Sequence, residues 1–267
     1  MADLRAIISD LTDEHESLEG IVSRLDAAGW DTPTPAVPWS VRDQISHLAF
    51  FDERARDSVS DRDIFEAHLQ EVASDRALIL ETPLERGRAM DPDQVLDWWR
   101  SARASMKEVF ARLDPKERVS WYGPPMSPAS FISARLMETW AHGQDVVDAL
   151  GISRRATDRL RHIAHLGVRA RTFSYTANGM APPTSEVQVV LRSPTGEKWS
   201  WGPDDATDRV EGSALGFCLV VGQRRHPDDT DVEAHGPAAE EWMSIAQCFA
   251  GPPGEGRAPG SFEWEAV

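Results

Sequence analysis

Cysteine is scarce in this chain: two residues, Cys218 and Cys248, with no Cys-x-x-Cys pair between them. Two thiols make no disulfide framework, which points to a reducing, cytoplasmic compartment. Cys218 falls in the apolar run FCLVV and reads as a buried structural thiol. Long apolar runs are missing as well. Stretches such as Phe217 to Val221 fall far short of the roughly 20 residues a membrane helix needs. The opening MADLRAIISDLTDEHE has no basic start, no apolar segment and no small-residue cleavage signal, so no export signal is expected there. Basic charge is also short: 28 Lys and Arg stand against 44 Asp and Glu, a net charge of −16. Such a surface repels phosphate backbones and anionic lipid, which argues against nucleic-acid and membrane partners. The oligomeric state is left open, a homodimer among the options.

What is present is helical periodicity. Leu4, Ile7, Ile8, Leu11, Leu18, Ile21, Val22 and Leu25 form one stripe. After a turn-rich stretch from Gly29 to Pro38, Ser40 and Asp43 resemble a capping box that starts a helix at Val41, running to about Arg56. Residues 58–90 read as a short helix and a loop. Asp91-Pro92 opens a third long helix that ends before Pro115, and Ser127-Pro128 opens a fourth that stops at Gly151. Four such helices suggest a bundle. The character then changes. One helix is expected from Thr157 to about Tyr175, a hairpin through Val187–Leu191 and Trp199–Trp201, strands near 208–211 and 232–234, and helices near 214–223 and 238–249. The predicted organisation is α+β: a helical bundle over residues 1–152, a smaller α/β domain over 153–250, and a Gly/Pro-rich loose tail over 251–267.

Glu138 and His142 carry the first chemical signal. Four residues apart on the fourth helix, they lie one above the other, on a face that also holds Phe131, Ala134, Ala141 and Ala149. An inward carboxylate and imidazole are costly unless paired, and a metal ion satisfies both. His47, beside Phe50 and Phe51 on the second helix, is the candidate third ligand. Two histidines and one carboxylate leave a coordination position open, the catalytic pattern for zinc, and the set also suits iron or nickel. A solvated surface pair has the same Glu-His spacing, so these residues alone leave both readings open. Asp145, three residues after His142, is a candidate to orient that ring as a hydrogen-bond acceptor. Asp52 and Glu53 sit roughly 140° and 120° around the helix from His47 and are not expected to ligate. His15 reads as interfacial, and Trp121-Tyr122 as the lip of a pocket.

The segments PWSVRDQISHLAFFD and RLMETWAHGQDVVDALG resemble the DinB-like metal-binding four-helix family, and within it the mycothiol-dependent maleylpyruvate isomerase branch. The resemblance implies that His47, Glu138 and His142 hold a divalent metal, usually zinc, and that a smaller C-terminal α/β domain closes over the open face. It implies a low-molecular-weight thiol such as mycothiol as co-substrate, used to isomerise or conjugate a small electrophile. It also implies an arginine that holds substrate carboxylates, for which Arg224 is the candidate, with Arg225 beside it in LVVGQRRH. A metal hydrolase on the same scaffold, or a non-catalytic metal-binding module, are the alternatives.

Overall fold

The computed structural model describes residues 3–254 and 256–262. The chain divides into two compact units between Ser153 and Arg154. In the first, α1 (Leu4–Val22) is capped by Asp3, whose carboxylate accepts the Arg5 N–H. It buries the stripe Ile7, Leu11, Leu18 and Val22. A short α2 (Ala27–Trp30) leads into the loop 31–40. The capping box expected from Ser40 and Asp43 forms in full and starts α3 (Val41–Ser60), which continues a turn past the expected end.

The stretch 58–90 differs from expectation: it holds two helices, α4 (Arg62–Ser74) and α5 (Leu78–Arg88), the second with Pro83 inside it. Their helicity rests on contacts the local pattern does not carry. Arg86 pairs with Glu53 and lies over the Trp98 ring, and Arg88 grips both oxygens of Asp43. Gly87 lets α5 approach α3 closely, since a Cβ there would sit 1.8 Å from Ser46 Oγ. Then come α6 (Pro92–Phe110), with a capping box from Asp91 and Gln94, and α7 (Pro128–Leu150), capped by Ser127. Gly151 ends α7 at φ +61°, a backbone that favours glycine. Helix α3 packs against α5, α6 and α7, and α1 against α7, around Ile45, Leu48, Trp99 and Val146.

The second unit has α8 (Leu160–Arg169) and α9 (Arg171–Ala177), two helices meeting at Ala170 where one continuous helix was expected. A four-stranded sheet follows, built from β1 (Val187–Arg192), β2 (Lys198–Trp201), β3 (Asp208–Ser213) and β4 (Glu233–His235) in the order β2-β1-β3-β4. The expected β1–β2 hairpin is antiparallel with Val189 opposite Trp201, β3 runs parallel to β1, and β4 antiparallel to β3. Helices α10 (Ala214–Val221) and α11 (Pro237–Ile245) pack on it, completing an α+β fold. In the C-terminal stretch the Gly260 N–H donates to Asp229 and Phe262 lies under the Arg225 guanidinium. Residues 255 and 263–267, part of the expected loose tail, lie outside the described residues. Among the described residues no helix is long and apolar enough to cross a membrane.

Candidate metal centre

Two helices supply the site. α3 presents His47 two turns from its N-terminus, and α7 presents Glu138 and His142 on successive turns. The His47 and His142 ring centroids stand 4.4 Å apart, and His142 Nε2 is 3.2 Å from Glu138 Oε2. One donor atom from each of the three falls within 4.8 Å of the others. Ligands around a tetrahedral zinc ion with bonds of about 2.1 Å stand about 3.4 Å apart, so a small inward adjustment closes the set. Among the described residues this is the only cluster of three such donors. His142 is 8% exposed and the Glu138 side chain 25%, so the cluster opens on the carboxylate side. Trp39 stacks flat on His142 at 5.8 Å, and Phe51 lies against His47 at 4.5 Å.

The tautomer of His142 follows from its neighbours. Thr34 Oγ1 donates its single proton to the Trp39 carbonyl at 2.8 Å. Gln44 therefore donates through Nε2 to Thr34 Oγ1 at 2.9 Å, which turns its carbonyl oxygen toward His142. That oxygen stands 2.5 Å from His142 Nδ1, so Nδ1 carries the proton. Nε2 is then the ring nitrogen that faces Glu138, 3.2 Å from Oε2: a proton there donates to the carboxylate, and a metal ion would take its place. Burial pushes the Glu138 carboxyl up, but hydrogen bonding and attraction from His142, with Arg135 and His47 behind it, hold it down at about 2.

Gln44 was not foreseen as a partner of His142. Nδ1 of His142 meets Gln44 and Nε2 faces Glu138, while Asp145 is fully buried one turn further along α7. Gln44 escaped notice because an amide carries no ligand signature, although it lies three residues before His47 on the same helical face. His15 lies at the interface of α1 with α3 and α6, fully buried, edge-on to Trp99 and 3.8 Å from Asp52 Oδ2. Trp121 and Tyr122 join Phe51, Phe65 and Phe131 in an aromatic cluster instead of standing at a rim. Asp52 faces away from the triad and pairs with Arg135, and Glu53 pairs with Arg86, so neither ligates. His165 Nδ1 accepts from Trp201, and it joins His162 in no cluster with a third donor. Arg224 sits in the second unit just after α10, where its Nη1 donates to the Gly222 carbonyl at 2.7 Å. The next residue, Arg225, lines a cleft of about 460 Å³ in that unit.

Residues 11–147 match the family described as the mycothiol maleylpyruvate isomerase N-terminal domain. Two relatives from Mycobacterium tuberculosis, the uncharacterized proteins MT0041 and Rv0036c, are each 45% identical over 257 residues, 96% of this chain and 100% of theirs. Two crystal structures of the mycothiol-dependent maleylpyruvate isomerase, one of a point mutant, superpose with TM-scores of 0.58 and 0.57. They cover 89% of this chain and 96% of that one at 15% identity, a likeness of fold.

Proposed function

Because the chain belongs to the mycothiol maleylpyruvate isomerase N-terminal domain family, we propose that it is a thiol-dependent enzyme that uses mycothiol, or a similar small thiol, to isomerise or conjugate a small anionic electrophile at a metal held by His47, Glu138 and His142. The observation that carries this reading is the chain from the Trp39 carbonyl through Thr34 and Gln44 to His142 Nδ1, which engages Nδ1 and so leaves Nε2, beside the Glu138 carboxylate, as the nitrogen of that ring able to ligate. A ring held through Nδ1, with a second imidazole close by and a partly buried carboxylate beside Nε2, is suited to a divalent cation, zinc by preference.

When bound there, a divalent cation supplies a positive charge that lowers the pKa of an incoming thiol from about 8.5. The chain's own residues do the rest. His47 and His142 add no charge, and Glu138 adds one negative charge, so a net positive site remains for a thiolate. Trp39 and Phe51 wall the imidazoles and keep water from their faces. Arg224, with a planar fork suited to a carboxylate, is the residue proposed to take the anionic group of the substrate. In the isomerisation, the thiolate sulfur bonds to one carbon of the double bond, the remaining single bond rotates, and expulsion of the thiolate restores the double bond. No atom or electron is gained or lost. When a proton is captured before expulsion, conjugation results. The compartment is the cytoplasm, in keeping with two cysteines and no paired motif.

The test is turnover of a cis-configured unsaturated keto acid with mycothiol, before and after chelation and zinc readdition. Loss on chelation and recovery with zinc are expected. Equal rates in both states contradict the proposal. Two histidines and a carboxylate also serve zinc hydrolases, so an arm without thiol is included. Full activity in that arm favours hydrolysis.

A further inference from the structure

Among the buried ionic groups outside the triad, the pair of Asp52 and Arg135 links the two helices that carry it. Asp52 lies on α3, five residues after His47, and Arg135 lies on α7, three residues before Glu138. Asp52 is 0% exposed and Arg135 4%. Arg135 Nε donates to Asp52 Oδ1 at 3.0 Å, and Nη2 stands 3.0 Å from the same oxygen. Nη2 also reaches the carbonyl of Leu48, the residue that follows His47, at 3.5 Å.

Stability alone is a poor reason for such a pair. Withdrawing two charges from water costs several kcal/mol per ion, and apolar replacements of similar volume are often neutral or stabilising. The neighbourhood is already rich in apolar side chains, Leu48, Trp99, Ile132 and Leu136 among them, all fully buried. A guanidinium clamp does something these contacts do not. Leu against Leu tolerates a slide of one helix along another, whereas a planar fork on one carboxylate oxygen fixes rotation and axial position together. The helices clamped are the two whose side chains must meet at the metal. One end of the clamp lies a turn from Glu138, and the other grips the peptide next to His47.

We propose that Arg135 and Asp52 are positioning residues that set the register of α3 against α7 and thereby the spacing between His47 and the Glu138–His142 pair. This inference rests on the metal reading given above. Neither residue touches the ion. Their effect is on how well the three donors converge, and ångström-scale misplacement of such groups is costly to function.

The experiment compares the wild-type chain with Asp52→Leu/Arg135→Met and with Asp52→Asn. It reads zinc dissociation constants by chelator competition, the visible spectrum of the cobalt-loaded protein, and the denaturant midpoint. The double variant is expected to unfold at or above the wild-type midpoint, to bind zinc about 10- to 100-fold more weakly, and to lose the wild-type cobalt band shape. A double variant that stays folded and binds zinc within twofold of wild type overturns the inference. If the double variant does not fold, Asp52→Asn decides: at least a threefold weaker affinity with an altered cobalt spectrum supports the clamp, and wild-type values overturn it. Failure of the wild-type chain itself to bind zinc or cobalt overturns the metal reading and this inference together, a result separable from undiminished binding by the variants alone.

Discussion

Gln44 Oε1 stands 2.5 Å from His142 Nδ1, joining residues 98 positions apart in the chain. This contact decides which nitrogen of His142 is free. Gln44→Leu removes the acceptor and leaves the ring able to turn or change tautomer. Zinc affinity is expected to fall about 10- to 100-fold, the usual cost of losing a partner of a metal-bound histidine. Competition titration with a chromophoric chelator measures it, and an unchanged affinity contradicts the tautomer argument.

His15 makes a pH prediction. Burial first, and then the charges of Arg103, Lys107 and Arg135, hold its pKa well below 6.5. The folded state therefore refuses a proton that the unfolded chain accepts. Above pH 6.5 neither state carries it, and His15 has no pH-dependent effect. Below pH 6.5 stability drops as the unfolded chain becomes protonated, by up to about 1.4 kcal/mol per pH unit, until the folded pKa is reached. His15→Leu is expected to flatten the stability profile between about pH 5 and 6.5. Urea denaturation across that range checks it, and a profile parallel to wild type refutes it.

Gly87 offers a test of the packing that supports His47 from behind. A methyl group at this position would meet Ser46 Oγ at 1.8 Å and Ser46 Cβ at 2.5 Å. Gly87→Ala is expected to destabilise the first unit by roughly 1–3 kcal/mol, the range for overpacking a filled interior. In Ser46→Gly the obstructing side chain is gone, so Gly87→Ala added to that background should cost markedly less. Thermal unfolding of the four proteins in this cycle gives the coupling directly.

Much of this could be read in the sequence where the signal was local. Ser40 with Asp43, Asp91-Pro92, and Ser127-Pro128 with Gly151 marked helix ends because caps act within a turn. His47, Glu138 and His142 were legible because a four-residue spacing sets two donors on one face and a bundle brings a third. Of α4 and α5, only one short helix was expected. Phe65, Leu84 and few others are their buried apolar anchors, Pro83 interrupts the pattern, and the ties of Arg86 and Arg88 to α3 arise only in the fold. Gln44 was not legible as a partner of His142 because it arrives from another helix. The Asp52–Arg135 clamp was invisible for the same reason, its members lying 83 residues apart.

The central claim is that three side chains from α3 and α7 hold one divalent ion. Elemental analysis of the purified chain and of His142→Ala, each loaded with zinc and desalted, tests it most directly. The account predicts about one zinc per wild-type chain and less than about a tenth of that in the variant, which keeps only two of the ligands that a catalytic zinc site needs. Full zinc content in His142→Ala would contradict it.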